Sequence, residues 1–468
     1  MEKLWSNLLL ILIVGCLVVF ALFSLDIIVV ACPEGHISSR MVYSVVTEPD
    51  CTNSGVAVEK VYCTTCYHVI SEEEIAIDPV GHVIADGVCV ACGELDASSA
   101  GFVFELNDQG TGYLVISSGD NKSANIIIPE TCNGLDVVGI ADGAFANCTW
   151  IKTVILPSGM YSIGDGAFSG CTGLTNIYLS SSISEVGVDA FSGCDSLEYE
   201  EHSKNSVTTF YLGNDINPYL LLVGTSGYTG TGYGVDAVIH EDTRVIAGGA
   251  FEGVGKILKV TIPDNVVNVG KFAFAGCEDL HSVVIGKRVV SIGASAFEGS
   301  HQLTTVKMSG SVMKMGENVF RNCIDLTAIE LSSAMTVISA GSFYGCTDLK
   351  EIKIPSGIKA IGGGAFEGCV KLGVVQLGNS VESIGYRAFY GCESLTSISM
   401  PSSLKYIEES AFECCQLLKS VSLNNGLKTI GDKAFRHCES LVEITVPTSV
   451  TKLGDYVFDY CTSLSPDN

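Results

Sequence analysis

Phenylalanine recurs along this chain at one fixed interval, and the apolar residues between the phenylalanines repeat with the same period. It stands at 251, 274, 297 and every further step of 23 up to Phe458, and the same phase extends upstream to Phe145. Between Phe191 and Phe251 the interval lengthens to 60, so 37 extra residues interrupt a series of thirteen units. A unit this short cannot bury its apolar face alone and must stack on its neighbours. The pattern therefore predicts a repeat solenoid.

Within each unit, the alternation of apolar and polar residues predicts two short strands. Leu349, Ile352 and Ile354 suit a main strand with one buried face, and a proline often follows to end it. Ile358 and Ile361 form a second, shorter alternation before the next phenylalanine. Each Ala-Phe pair is expected to begin a short helical turn whose phenylalanine fills the coil. Strands and turns at this period are typical of a solenoid of the leucine-rich-repeat type.

The clearest copy of the unit, from Ile361 to Ile384, follows the pattern IGxxAFxxCxxLxxIxLPxxVxxIG. This unit resembles the repeats of the BspA-like leucine-rich repeat family of bacterial and protist surface proteins, over roughly residues 126–464. Val254 and Ser300 depart from it at the cysteine position. The resemblance implies a surface-exposed interaction module, in some members an adhesin, with no enzymatic activity of the repeat itself.

The charge balance narrows the kind of partner. The 468 residues include 26 Lys and Arg against 52 Asp and Glu, a net charge of −26. Nucleic acid is excluded as a partner, because phosphate binding needs basic stripes. The acidity suits an extended surface protein that must stay soluble.

Residues 1–31 have the composition of a membrane signal. An uncharged apolar run extends from Leu8 to Phe23 and resumes from Ile27 to Ala31. Three interpretations remain open: an uncleaved anchor, a cleaved signal peptide, and a lipoprotein with the cleavage box Val29-Val30-Ala31-Cys32. All three place the bulk of the protein outside the cytoplasm, either secreted or tethered to the membrane by its N-terminus, because fewer than ten residues precede the run.

Residues 32–97 form a cysteine-rich segment with the only candidate site for metal chemistry. The four knuckle cysteines, Cys63, Cys66, Cys89 and Cys92, form two C-x2-C pairs on either side of the stretch 67–88. Two such knuckles can hold four thiolates around one structural zinc, which orders a segment too small for a core of its own. The spacing therefore predicts a zinc-ribbon-like segment. A pair of disulfides, favoured in an oxidising compartment, and free thiols are the alternatives.

Eleven other cysteines occupy one column of the repeat, three residues after the phenylalanine: Cys148, Cys171, Cys194, Cys277, Cys323, Cys346, Cys369, Cys392, Cys415, Cys438 and Cys461. A buried ladder explains them most simply, because free cysteine packs as a small apolar residue. The alternative, a chain of disulfides between adjacent coils, would leave one of the eleven unpaired.

Two segments flank or interrupt the solenoid, which spans residues 126–468. Residues 98–125 are predicted to form an N-terminal capping hairpin, with alternating apolar residues on both sides of the turn 107–110. The insertion lies within about 198–236, where residues 207–212 and 219–223 predict another hairpin. Its glycine-rich tail, 224–234, lacks the lysine of a phosphate-binding loop and is predicted to be a connector.

No arrangement of a nucleophile, base or metal-binding motif predicts catalysis, so the chain is predicted not to be an enzyme. Outward positions of the main strands, such as Thr305, Lys307, Glu351 and Lys353, instead form a polar surface suited to an extracellular protein or glycan. The sequence thus predicts a membrane-tethered binding or adhesion module at the cell surface. The alternative is a passive structural or self-associating envelope protein, and an enzyme is the third. The last unit breaks off at Leu464 without a polar cap, which predicts end-to-end self-association.

Overall fold

The computed structural model describes residues 101–214, 216–228 and 233–465, with side chains up to residue 226 in the middle range. Before residue 101 it describes only the backbone of eight strands in three antiparallel sheets, β1–β3, β4–β6 and β7–β8. They are β1 (Ile13–Val14), β2 (Leu17–Leu22), β3 (Ile27–Ala31), β4 (Ser39–Thr47), β5 (Gly55–Cys63), β6 (Val69–Ile77), β7 (Ile84–Ala85) and β8 (Val88–Cys89). Within the described residues, no helix has the length and apolar character needed to cross a membrane.

The rest of the described chain is a solenoid of short strands. Ahead of the insertion are β9 (Val103–Leu106), β10 (Tyr113–Ser117), β11 (Asn125–Ile127), β12 (Thr131–Cys132), β13 (Leu135–Ile140), β14 (Thr153–Ile155), β15 (Ser162–Ile163), β16 (Asn176–Tyr178) and β17 (Glu185–Val186). The insertion contributes β18 (Glu200–Lys204), β19 (Val207–Leu212) and β20 (Leu221–Tyr228).

The strands after the insertion alternate between the two strand positions of the repeat. They are β21 (Val235–Val238), β22 (Val245–Ile246), β23 (Ile257–Thr261), β24 (Asn268–Val269), β25 (Ser282–Val284), β26 (Ser291–Ile292), β27 (Thr305–Lys307), β28 (Lys314–Met315), β29 (Ala328–Ile329), β30 (Val337–Ile338), β31 (Glu351–Lys353), β32 (Ala360–Ile361), β33 (Val374–Gln376), β34 (Ser383–Ile384), β35 (Ser397–Ser399), β36 (Tyr406–Ile407), β37 (Ser420–Ser422), β38 (Thr429–Ile430) and β39 (Lys452–Leu453).

Adjacent coils pair in parallel with a register of one repeat. Main strands pair with main strands, as in β31 with β33, where Ile352 lies beside Val375. Short strands pair in a separate sheet, as in β32 with β34, where Ile361 lies beside Ile384. In β31 the central Ile352 is buried and its two neighbours are exposed, which confirms the predicted single buried face.

The phenylalanines form stacks along the axis of the solenoid. Consecutive rings from Phe251 to Phe458 lie 4.9–6.0 Å apart between centroids and within 15° of parallel. Phe145, Phe168 and Phe191 form a shorter stack of the same kind. Phe366 is fully buried, like most of the column. Each ring inside a stack therefore fills its coil and contacts the rings of the coils on both sides.

In place of the predicted helical turn, the chain around each phenylalanine makes successive hydrogen-bonded turns. In one coil the Glu367 N–H donates to the Gly364 carbonyl at 3.1 Å, and the Cys369 N–H donates to the Phe366 carbonyl at 3.2 Å. The residues two before and two after every phenylalanine have positive φ, here 59° at Gly364 and 74° at Gly368. A right-handed helix cannot continue through such left-handed residues.

The same turns supply a third ladder between coils. The N–H groups of Gly364, Phe366 and Gly368 donate to carbonyls of the next coil at 2.7–2.8 Å. Because these donors point along the solenoid axis, they cannot close a helix within their own coil. Two strand ladders and one turn ladder thus hold each coil to its neighbour.

The cysteine column is buried and its thiols are free, as the buried-ladder prediction required. Ten of the eleven thiols donate to the carbonyl of the phenylalanine in the preceding coil, for example Cys369 Sγ to Phe343 O at 3.1 Å, and Cys148 Sγ instead meets Ser118 Oγ at 3.7 Å. Ser300, which departs from the repeat, makes the same bond to Phe274 O at 3.0 Å. The column therefore selects a small hydrogen-bond donor as well as a small volume.

The insertion separates the solenoid into two segments. Strands β18, β19 and β20 form an antiparallel sheet, and β20 then pairs in parallel with β22. Successive residues of β20 face opposite ways, so Leu221 packs into the first hydrophobic core and Leu222 into the second. Among the described residues, no ring contact joins Phe191 to Phe251. The β20 strand thus forms a partition between two cores.

Candidate binding surfaces

The main-strand face is the surface that the sequence singled out, and its side chains lie where the alternation predicts. Glu351 and Lys353 of β31 are exposed, as are Thr305 and Lys307 of β27. Because each coil repeats the same positions, the face presents two outward side chains per main strand at the regular spacing of a parallel sheet. Such a face offers a long, shallow contact area.

A groove that the sequence did not predict lies on the opposite, short-strand side. It encloses about 760 Å³ and is lined by short strands and corners of both segments, from Leu114 to Gly187 and from Asn268 to Ser339. Its two walls thus come from coils on either side of the insertion. We refer to it as the inter-segment groove.

One ion pair links the two segments at this groove. Lys271 Nζ lies 3.1 Å from Asp165 Oδ2, and the two residues are 106 positions apart in the chain. The other carboxylate oxygen of Asp165 accepts the Val188 N–H at 2.9 Å, and Asp142 in turn accepts the Asp165 N–H at 2.7 Å. Both charged side chains are partly exposed, so the ion pair orients the segments more than it stabilises them.

Much of the groove's polar lining remains available to a ligand. The side chains of Ser162, Asn268 and Ser291 make no hydrogen bond within the described part of the chain. The groove contains three carboxylates and two ammonium groups, contributed by Asp142, Asp165, Glu185, Lys271 and Lys314. Its polar side chains thus offer both donors and acceptors without a large excess of one charge.

The insertion also gathers a cluster of histidine and tyrosine. The ring of His240 stacks on Tyr219 at 3.7 Å between centroids and meets His202 edge-on at 5.4 Å. The backbone N–H of His240 donates to the Tyr211 hydroxyl at 3.0 Å. Burial lowers the pKa of the His240 imidazole, and the nearby Asp242 carboxylate partly opposes that shift. Neutral His240 therefore suits this packing best.

Most of the repeat thiols are too deeply buried to act as nucleophiles or metal ligands. Burial raises the pKa of Cys171 and of Cys346 to about 12. A thiol must ionise to attack or to bind zinc, so these groups stay protonated and act as hydrogen-bond donors. In the part of the chain that the structure describes, no group of three or more His, Cys, Asp or Glu could hold a metal ion.

The predicted zinc site lies outside the described side chains. Cys63 and Cys89 are the last residues of β5 and β8, and Cys66 and Cys92 fall beyond the described residues. The ribbon therefore stays a prediction.

Parallel strand ladders, a stacked phenylalanine core and a register of one repeat between coils define a leucine-rich-repeat solenoid. The family model described as BspA type leucine-rich repeat region matches residues 121–212, 244–372 and 336–465. The match spans more than half of the chain, and the chain belongs to this family. No catalytic family is indicated.

Several solved structures are similar over most of their length. A leucine-rich repeat protein from Bacteroides ovatus ATCC 8483 is 26% identical, with 78% of this chain and 91% of that chain covered and a TM-score of 0.47. A leucine rich cell surface protein from Faecalibacterium prausnitzii A2-165 is 22% identical, with 78% and 96% covered and a TM-score of 0.33. A leucine-rich repeat protein from Eubacterium ventriosum ATCC 27560 is 20% identical, with 78% and 93% covered and a TM-score of 0.39. The curated proteins contain no match to this chain.

Proposed function

We propose that this protein is a cell-surface binding or adhesion module, tethered through its N-terminus and directed at an extracellular protein or glycan. The observation that carries the proposal is the main-strand face, where one set of exposed side chains repeats on each coil, as at Glu351 and Lys353. The apolar run within residues 1–31 supports the surface location. Family membership supports a binding role, because such repeats serve recognition rather than catalysis.

The main-strand face suits an extended partner better than a compact small molecule. A flat array of separated contacts gives little enclosure, so affinity must come from many coils acting together. Lys307, Glu351 and Lys353 carry both signs of charge, and electrostatic complementarity at such positions governs the rate and selectivity of association.

The test is binding of the full chain to arrays of extracellular-matrix proteins and glycans, followed by charge reversal on the face. Lys353→Glu is expected to weaken capture of the retained partner about tenfold. Lys359→Glu is the control, because Lys359 is exposed but precedes the short strand β32. No retained partner on either array, or equal loss in both variants, would contradict a recognition role for this face.

Self-association is the second candidate, favoured by the last described coil. Leu453 is 53% exposed, whereas its counterpart Ile361 is 1% exposed. Tyr456 and Tyr460 are exposed beside it. A Leu453→Lys variant is expected to abolish any concentration-dependent rise in mass seen by sedimentation, and a constant monomer mass in the unsubstituted chain would remove this candidate.

A further inference from the structure

The inter-segment groove has the features of a ligand-binding site, because polar side chains from both segments line it. Polar side chains of one repeat column enter it from both segments: Ser162 and Glu185 from the first, and Asn268, Ser291 and Lys314 from the second. At the junction of the two segments these members of the column line one concave surface.

The inner strands of the groove, β15 and β26, offer side chains but no free backbone edge. Strand β15 pairs with both β13 and β17, and β26 pairs with both β24 and β28. An extended peptide that added a strand would need unpaired N–H and C=O groups, which these strands lack. The available partners are the unbonded hydroxyl and amide groups of Ser162, Asn268 and Ser291.

The remaining lining favours an uncharged ligand with both polar and C–H surfaces. Met313 and Val337 are 55% and 44% exposed at the groove and give it apolar contact area. The net charge of −26 repels a polyanion, and the groove's own charges nearly cancel. A sugar ring presents hydroxyls at its rim and C–H groups on its faces, which matches this combination.

We propose that the inter-segment groove binds a neutral oligosaccharide. The hydroxyl and amide groups of the shared column bind the sugar hydroxyls, and Met313 and Val337 pack against a ring face. Asp165 and Lys271 hold the two walls at a fixed separation. The inference deepens the proposed binding function, because it assigns one ligand class to one surface.

The experiment uses the full chain on an array of neutral hexasaccharides: glucans, mannans, galactans, xylans and chitin fragments. Sulfated and sialylated glycans and a set of extended peptides are printed beside them. Two variants test the location. Ser291→Tyr fills the groove, and Ser383→Tyr places the same ring at the same repeat position outside it. The chain itself carries Tyr406 at this position, so the fold accepts the ring.

We expect at least one neutral hexasaccharide to be retained, and Ser291→Tyr to weaken it by about tenfold or more while Ser383→Tyr leaves it unchanged. No retained neutral hexasaccharide, peptide retention blocked by Ser291→Tyr, or equal loss in both variants would each overturn the inference. If a partner is instead lost through Lys353→Glu alone, the groove inference fails and the proposed function stands. If the full chain retains nothing on this array or on the array of extracellular-matrix proteins, both fail.

Discussion

Replacing Phe366 with alanine should be among the most costly single changes in this protein. Phe366 is fully buried, with Phe343 at 5.2 Å on one side and Phe389 at 5.1 Å on the other. A buried phenylalanine removes about 150–200 Å² from water, which at about 25 cal/mol per Å² corresponds to roughly 4–5 kcal/mol. Three hydrogen-bonded ladders fix the spacing of the flanking coils, so the cavity cannot collapse. We therefore expect the free energy of unfolding to fall by about 4 kcal/mol.

Phe458 provides the matched comparison. Its ring is only partly buried and stacks on Phe435 alone, at 6.0 Å. Phe458→Ala should therefore cost about half as much, roughly 2 kcal/mol. Urea unfolding followed by circular dichroism gives the free energies, and hydrogen exchange within residues 361–384 shows whether the damage is local, as nearest-neighbour coupling requires. Equal losses in the two variants, or an unchanged transition in Phe366→Ala, would refute the assignment of this column to the core.

Four further predictions follow from features of single residues. Cys369→Ser should change the free energy of unfolding by less than about 1 kcal/mol, because serine makes the same bond at another coil; a loss of several kcal/mol in urea would show that volume alone matters. Gly368→Ala should destabilise by about 1 kcal/mol through its positive φ, since the added Cβ meets nothing closer than 3.8 Å, whereas Gly310→Ala, with open space and no positive φ, should be neutral or slightly stabilising. The lowered pKa of His240 means that its stabilising effect is complete above the unfolded value of 6.5 and is lost as the pH falls below it; thermal melts should show this loss and His240→Gln should reduce it, and a flat pH profile would contradict the assignment. Elemental analysis of the full chain should find about one zinc, lost when the knuckle cysteines are changed to serine, and two disulfides found there by mass spectrometry would exclude the ribbon.

The sequence predicted the features that repeat. One phenylalanine in each repeat and one small donor in twelve of the thirteen define the core columns, so the solenoid and its buried thiols could be inferred from spacing. The residues on either side of the predicted capping turn form β9 and β10, which pair antiparallel. The hairpin pattern of the insertion likewise corresponds to the antiparallel strands β19 and β20. In both cases the interactions involved are local or periodic, which is the information that a pattern contains.

The unpredicted features depend on contacts that no period encodes. The groove requires Asp165 and Lys271, which lie 106 residues apart, to meet through the packing of β20 between two cores. The left-handed turns were obscured because eight of the thirteen residues two positions before a phenylalanine are not glycine, Arg387 and Lys433 among them. The hydrogen bond between coils fixes the left-handed backbone whichever side chain is present. The conformational preferences of the residues therefore do not predict these turns. Ser300, a serine in a column of cysteines, was the one sequence signal that this position needs a hydrogen-bond donor to the neighbouring carbonyl.

The three ladders between coils also determine how the molecule responds to a pulling force. The backbone ladders bond each coil only to its neighbours, so tension applied between the two ends peels coils one at a time instead of breaking the whole core at once. A stacked coil adds about 5 Å to the length of the solenoid, whereas the chain of one repeat spans about 80 Å when fully extended. Each rupture therefore releases a long stretch of extended chain, which lowers the tension on the coils that remain. A solenoid built in this way dissipates work in small steps and keeps most of its surface folded while it stretches.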